Sequence, residues 1–332
     1  MVKYKDAGVD FDAIGKFRKA LISKLNLHGD WKVPIGIGHY AGLIEYGDNY
    51  LALHTDGIGT KTLLALKYRY FKELGFDLVG MNVNDLLAMN IEPVAMVDYI
   101  SSSIFDVDLA NDLGASLDQA LTQSKISIIG GETASIPDII NGIDIAGTVL
   151  GIVKKSKLVD GSKIAEGDVI LGIESSGFHS NGYSLIRKVL ESNLGLDNEI
   201  LNGEKLWKLL LKGTKIYRDL ILEINEKYEI KGMAHITGGG FRNILRLKNM
   251  LYEFNIDYEI PPIFQEIIKA GNIDYNEAFQ TFNMGIGFML ILEAKEARNL
   301  SNEYQNLIKI GQVKRGQGIV INPHNLRYES YY

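Results

Sequence analysis

Four carboxylates stand where an ionised oxygen could do chemistry. Asp56 ends a strand-like run, Asp98 lies near the end of another, and Glu132 sits just past a third. Asp85 falls in Met81-Asn82-Val83-Asn84-Asp85-Leu86, where Asn-Asp interrupts an otherwise apolar helical pattern. Hard oxygen donors with no sulfur at hand suit Mg2+ carrying phosphates, whereas Zn2+ favours softer ligands. Taken singly, Asp56 and Asp98 are equally well explained as loop formers and Asp85 as a solvated helix residue. Together they point to a metal–phosphate site. The remaining inventory is narrow. With no Cys, the chain has no disulfides, thiolate nucleophiles or thiolate-bound clusters. Its six His (28, 39, 54, 179, 235 and 324) form no H-x-x-x-H metal pair. His179 stands in the loop Ser175-Ser176-Gly177-Phe178-His179-Ser180-Asn181-Gly182, where a His beside hydroxyls is an acid–base candidate. His235 follows an apolar strand, and His39 lies in a Gly loop able to swing over a substrate. His28 and His324 read as surface residues.

The 35 glycines in 332 residues exceed the usual ~7%. They concentrate at 36–42, 57–59, 130–131, 238–240 and 285–287, all read as strand exits. There a missing Cβ lets backbone N–H groups approach an anion, and a following helix adds its positive end. A Walker A loop is excluded because Gly59 is followed directly by Thr60 and Lys61. The dinucleotide fingerprint also fails, since Thr62 stands where its last Gly belongs. In the second half, Ser180, Asn181 and Thr237 offer hydroxyl and amide groups suited to a sugar phosphate. Ser180 or Asn181 would serve equally well as a helix cap.

These residues need elements to hold them. Helical spacing covers 14–25, 62–70, 77–90, 106–123 and 183–190, with a long helix around 204–227 and another from Phe241. Strand patterns cover 50–55, 94–99, 125–129, 143–153, 168–173 and 287–292. Lys154 to Gly167, charged and rich in turn signals, divides the chain into domains at 1–164 and 165–332. Both halves alternate strand, loop and helix, so the class is α/β (α+β). A hydrophobic fraction of 46% and a net charge of −6 exclude a disordered chain and give no basic field for nucleic acid. The start lacks an apolar leader, and Gly285 to Leu292 is too short to span a membrane. A cytoplasmic protein is expected.

Assembled in order, the motifs resemble the phosphoribosylformylglycinamidine cyclo-ligase (aminoimidazole ribonucleotide synthetase) family. They are Tyr4-Lys5-Asp6-Ala7-Gly8-Val9-Asp10, Thr55-Asp56-Gly57-Ile58-Gly59-Thr60-Lys61, Val83-Asn84-Asp85-Leu86 and Gly130-Gly131-Glu132-Thr133-Ala134. His179 to Leu185, His235 to Gly240 and Thr281-Phe282-Asn283 continue the match. The resemblance implies a two-domain fold whose first-domain sheet joins that of a homodimer mate in a barrel. It implies ATP-dependent closure of formylglycinamidine ribonucleotide to aminoimidazole ribonucleotide in purine synthesis. Asp56, Asp85 and Glu132 would hold Mg2+ and nucleotide, with Asp98 as a fourth acid. Gly57, Gly59, Thr60, Lys61, Gly130, Gly131 and Thr133 would contact ATP. Gly36, Gly38 and Gly42 would close over the site. Ser180, Asn181, Gly182, Thr237, Gly238, Gly239 and Gly240 would hold the substrate. Lys61, His39, His179 and His235 would serve the chemistry. His39-Tyr40 replaces a familiar Phe-Gly pair, and Met284 replaces a common Cys, which suggests an archaeal-type branch.

Two other readings compete. Thiamine-monophosphate kinase shares the superfamily but carries a Gly-Asp-Asp-Ala-Ala type sequence where this chain has Gly38-His39-Tyr40-Ala41-Gly42. Sister enzymes that need Cys or selenocysteine are set aside by its absence. A catalytically inactive nucleotide-binding homologue is the reading from a different class, and the retained carboxylates oppose it.

Overall fold

Alternating apolar residues along 49–57 and 143–154 build two long paired strands, and the rest of the first sheet grows around them. The computed structural model describes residues 3–322 and 324–331. Helix α1 (Phe11–Ile22) is capped by the Asp10 carboxylate, which accepts from the amides of Asp12 and Ala13. Strands β1 (Gly42–Tyr46) and β2 (Asn49–Gly57) precede helices α2 (Lys61–Tyr68) and α3 (Leu74–Leu87). Strand β3 (Glu92–Ser102), helix α4 (Val107–Ser124), β4 (Ser127–Ser135) and β5 (Ile143–Lys154) complete this half. The sheet order is β1-β2-β5-β3-β4, antiparallel except for the parallel β3–β4 pair.

The second half contains β6 (Val169–Glu174), α5 (Tyr183–Ser192), the short hairpin β7 (Ile200–Leu201) and β8 (Glu204–Lys205), α6 (Leu206–Leu210) and α7 (Arg218–Lys227). It continues through β9 (Gly232–His235), β10 (Leu251–Asn255), α8 (Pro262–Gly271), α9 (Tyr275–Thr281), β11 (Ile286–Leu292) and α10 (Ala294–Glu303). Strands β12 (Leu307–Lys314), β13 (Gly318–Asn322) and β14 (Leu326–Tyr328) close a seven-stranded sheet ordered β14-β13-β10-β12-β6-β11-β9. Strand β11 is buried along its whole length, which explains its unbroken apolar run Ile286-Gly287-Phe288-Met289-Leu290-Ile291-Leu292. Among the described residues, no helix is long and apolar enough to cross a membrane.

Helix α3 is the spine of the molecule. It packs on the first sheet and α4 on one side and on α7 and β9 on the other. All but one of its residues are buried, so its apolar character extends round the whole helix rather than along one stripe. Glycines in β5 let it sit close: a Cβ on Gly151 would come 2.7 Å from Leu86 Cδ1 and 2.6 Å from Ile91 Cγ2. Four polar residues of this helix, Asp77, Asn82, Asn84 and Asp85, are fully or almost fully buried. Buried polar groups are stable only when paired, and each of these reaches a neighbouring element.

The segment Tyr4–Ala7 does not pack on the first sheet. The Tyr4 amide donates to Glu277 in α9, and Lys188 in α5 donates to the Asp6 carbonyl, so this arm lies against the second half. Two sequence expectations fail here. The helix expected over 204–227 is broken between α6 and α7, where Gly213 and Thr214 press on α3. Thr214 donates its hydroxyl to Asp77 at 2.7 Å, a contact the extended helix would forbid. The Gly130–Thr133 run also lies inside β4 rather than beyond a strand end. Gly131 is required there because a Cβ would strike the Asp98 carboxylate on the neighbouring strand.

Candidate active site

The end of β2 docks on α3 through Asn82. Its side chain accepts from the Asp56 amide at 3.0 Å and donates to the Asp56 carbonyl at 3.1 Å. That grip brings the Asp56 side chain toward Asp85, one helical turn further along α3. Strand alternation puts His54 on the same face as Asp56. Its Nδ1 donates to the Tyr40 carbonyl at 2.6 Å, and its Nε2 lies 3.4 Å from Asp85 Oδ2. From the second half, His235 Nδ1 donates to Asp85 Oδ1 at 2.7 Å. That bond fixes the His235 tautomer, with Nε2 left to accept from Asn84 at 3.4 Å. Asp85 is therefore held between a histidine from each half.

The two carboxylates are driven apart in acidity. Burial raises Asp56, and the Asp85 charge adds to the rise. Burial alone would raise Asp85 too, but His54 and the His235 hydrogen bond bring it below the usual range. His39 is lowered, chiefly by burial, so its imidazole is neutral near pH 7. A cavity of about 660 Å³ opens over this cluster. Its walls include Gly36 to Leu43, His54, Asp56, Asp85, Thr237 and Arg246. The Gly loop thus covers the acidic pair.

The other acids stand apart. Asp56 and Asp98 both pair with Gly147 on β5, so two strand spacings, about 10 Å, separate them across the sheet. Asp98 is half-buried and raised by burial. Glu132 and Thr133 are exposed on β4, and alternation turns Glu132 to the face opposite Asp98 and Gly131. Among the described residues, no three His, Asp or Glu side chains are disposed to hold a metal ion. Of the four acids, only Asp56 and Asp85 come together.

Lys61 is a correction. It is fully buried, with Nζ 2.7 Å from Asp77, and it donates to the carbonyls of His179 at 2.9 Å and Lys212 at 2.7 Å. The ammonium ties the two halves together and does not reach the cavity. Burial lowers Lys61 and lifts Asp77 to about 6, despite their mutual attraction. His179 is also buried, packed near Tyr217 and His235, and its Nε2 accepts from the Ser176 amide at 3.3 Å. It is a packed interior residue here, not a loop acid–base group. Ser180 donates to the Ile58 carbonyl at 2.7 Å, and Thr60 meets Ser184 at 3.0 Å. Asn181 lies 3.9 Å from the Met81 sulfur, and Gly182 precedes α5 with φ 78°. The stretches 58–61 and 179–184 therefore interlock instead of facing the cavity.

Of the loop Thr237 to Gly240, Thr237 lines the cavity. Gly239 and Gly240 have φ of 100° and 54°, left-handed values that glycine adopts without penalty. Asn243 reaches back to the carbonyls of Thr237, Gly238 and Gly240, setting the loop. The wall residues His54, Tyr40 and Arg246 carry no site role in the motifs of the sequence. The period of two from Asp56 marks His54. A short helix with three residues per turn puts Arg246 in line with Asn243.

This architecture has relatives. Residues 38–153 match the domain described as AIR synthase related protein, N-terminal domain, and 165–322 match its C-terminal counterpart. The protein is thus of the two-domain AIR synthase related class. The phosphoribosylformylglycinamidine cyclo-ligase of Methanococcus vannielii is 46% identical over 313 residues, covering 92% of this chain and 90% of that one. That of Pyrococcus horikoshii is 40% identical and covers 100% of this chain and 99% of its own. The chain belongs to the phosphoribosylformylglycinamidine cyclo-ligase family. Among solved structures, "AaThiL complexed with AMPPCP and TMP" superposes with a TM-score of 0.68 at 16% identity, covering 97% of this chain and 96% of that one. A HypE–HypF complex gives 0.68 at 15% identity, covering 94% and 98%. These two show that the fold is shared.

Proposed function

We propose that the protein closes formylglycinamidine ribonucleotide to 5-aminoimidazole ribonucleotide, consuming ATP and releasing ADP and phosphate. The observation that carries this reading is full-length identity of 40–46% to named cyclo-ligases, over both halves of the cavity. Thiamine-monophosphate kinase relatives match at only 16–17% identity.

A formamide carbonyl is a weak electrophile. Transfer of the γ-phosphoryl group from ATP to its oxygen, with loss of the formamide N–H proton, gives an iminophosphate and ADP. The amidine nitrogen then attacks that carbon, the C–O bond breaks, phosphate leaves, and a proton is lost from the attacking nitrogen. No enzyme nucleophile is needed, which fits a chain without Cys. The protein's work is to hold the reacting groups in line and to exclude water. The Gly36–Gly42 segment, over the cavity, is placed to do both, with His39 at its centre.

The residues fit Mg2+. Asp56 and Asp85 are two oxygen donors whose like charges already raise Asp56. Mg2+ commonly takes one or two protein carboxylates and completes its shell with water and substrate phosphates. Asp56 and Asp85 would hold it, and when bound it neutralises phosphate charge. Asp85 is kept ionised by His54 and His235, and the Asn82 grip aims Asp56.

A homodimer accompanies this reading. The outer face of the first sheet presents Leu53, Val97, Tyr99 and Ile129, between 39% and 72% exposed, a row of apolar side chains suited to a second copy. We place the activity in the cytoplasm. The deciding experiment incubates the protein with formylglycinamidine ribonucleotide, ATP and Mg2+. Aminoimidazole ribonucleotide and phosphate should appear in equal amounts, and ATP consumption without cyclised product would overturn the assignment.

A further inference from the structure

Arg246 ends the short helical segment Gly240–Arg246 and forms part of the cavity wall. Its guanidinium carbon lies 5.0 Å from the centre of the Tyr40 ring and 4.8 Å from that of Tyr331. One ring comes from the Gly loop, the other from the segment after β14. Arg246 Nη2 donates to the Tyr331 hydroxyl at 2.8 Å, and that hydroxyl donates to the Gly238 carbonyl at 3.0 Å. Gly239 lets the ring lie this close, since a Cβ there would sit 3.2 Å from it. Tyr40 in turn donates to the Asn243 carbonyl at 2.9 Å. The carboxylate whose charge reaches Arg246 is Asp85, across the cavity, and among the described residues it forms no ion pair with Arg246 within 4 Å.

A planar cation fixed between two aromatic faces is an oriented fork. It has five N–H donors, and among the described residues the hydrogen bond they make is to the Tyr331 hydroxyl. A guanidinium at a cavity wall with no carboxylate in direct contact is matched by a phosphate, whose oxygens accept two parallel N–H bonds. Taking the cyclo-ligase reading as its basis, we propose that Arg246 binds a phosphate group in the cavity and that Tyr331 is the positioning residue that aims it. The phosphate belongs either to the ribonucleotide or to ATP, and both present the same dianionic oxygens. Tyr331 does not touch the ligand; it orients the fork and ties it to the Thr237–Gly240 loop.

The test compares wild type with Arg246→Lys, Tyr331→Phe and the double variant. Readouts are turnover, calorimetric binding of ribose 5-phosphate, and thermal midpoint. Arg246→Lys keeps the charge but loses the fork, and should raise one substrate's KM about 30-fold, with kcat changed less than threefold. The substrate affected, ribonucleotide or ATP, identifies the phosphate. Tyr331→Phe keeps the ring but removes the hydroxyl, and should raise the same KM about fivefold with an unaltered midpoint. In the double variant the two effects should not multiply, because both act on one fork. Arg246→Lys with both KM values unchanged would overturn phosphate binding. A silent Tyr331→Phe, or multiplicative effects, would overturn the positioning role. Failure of wild type to cyclise rejects the functional reading, not this one. Binding of ribose 5-phosphate or of ATP that weakens in Arg246→Lys would still support phosphate binding by Arg246, and absence of both would overturn it.

Discussion

Asp85 concentrates the chemistry of the site in one side chain. It is buried, it carries a histidine from each half on its two oxygens, and it faces a second carboxylate. Asp85→Asn keeps the shape but removes the charge. Turnover should fall at least 100-fold while the thermal midpoint moves by only a few degrees. Normal Mg2+-dependent ATP hydrolysis in that variant would take Asp85 out of the site. The pH dependence follows from the two opposite shifts. Asp85, held below its unfolded value, contributes stability that is present above that value and lost as pH falls through its folded one. Asp56, held above, contributes in the opposite sense, and its share is lost as pH rises through its raised value. Thermal midpoints of wild type and Asp85→Asn between pH 3 and 7 should therefore converge at the acid end. Parallel curves would contradict the depressed Asp85. The sequence marked both acids because Asn-Asp broke an apolar helix and Asp-Gly ended a strand. His235 was a candidate for the chemistry, but its pairing with Asp85, and that of His54, was not legible, because contact between the two halves of the chain leaves no mark in local spacing.

At the scale of elements, α3 and the loop that precedes α2 explain most of what was and was not legible. Strands β2, β3 and β5 and helices α2, α4 and α5 follow their apolar periods closely, since each buries one regular face, and α3 is legible as a long apolar run buried all round. The break between α6 and α7 was hidden because Leu209, Leu210, Leu211 and Ile216 keep a helical spacing through it. What ends the helix is tertiary, the contact of Thr214 with Asp77. The burial of Lys61 is hidden from the sequence for the same reason, as its partner lies in the next helix. Lys61→Met would leave Asp77 buried without its counter-charge. We expect a loss of about 3–5 kcal/mol in denaturant unfolding, with the KM for ATP changed less than threefold in protein that remains folded. A selective rise in that KM at unchanged stability would return Lys61 to the phosphates.

On the scale of the whole molecule, the first sheet has two different faces. One is filled by α3, and the other leaves Leu53, Val97, Tyr99 and Ile129 exposed. For the proposed homodimer, Ile129→Lys should leave a monomer in sedimentation while far-UV dichroism stays unchanged. A wild-type monomer at micromolar concentration would remove that face from any interface. The spine carries a different consequence. Asp77 and Asn84 bind the chain at 214–217, Asn82 binds β2, and Asp85 binds both sheets through its histidines. Such stitching leaves no waist at which one lobe could swing or melt by itself. Heat or denaturant should therefore unfold both halves in one transition, and the Gly36–Gly42 segment is the part of the wall left to admit a ligand.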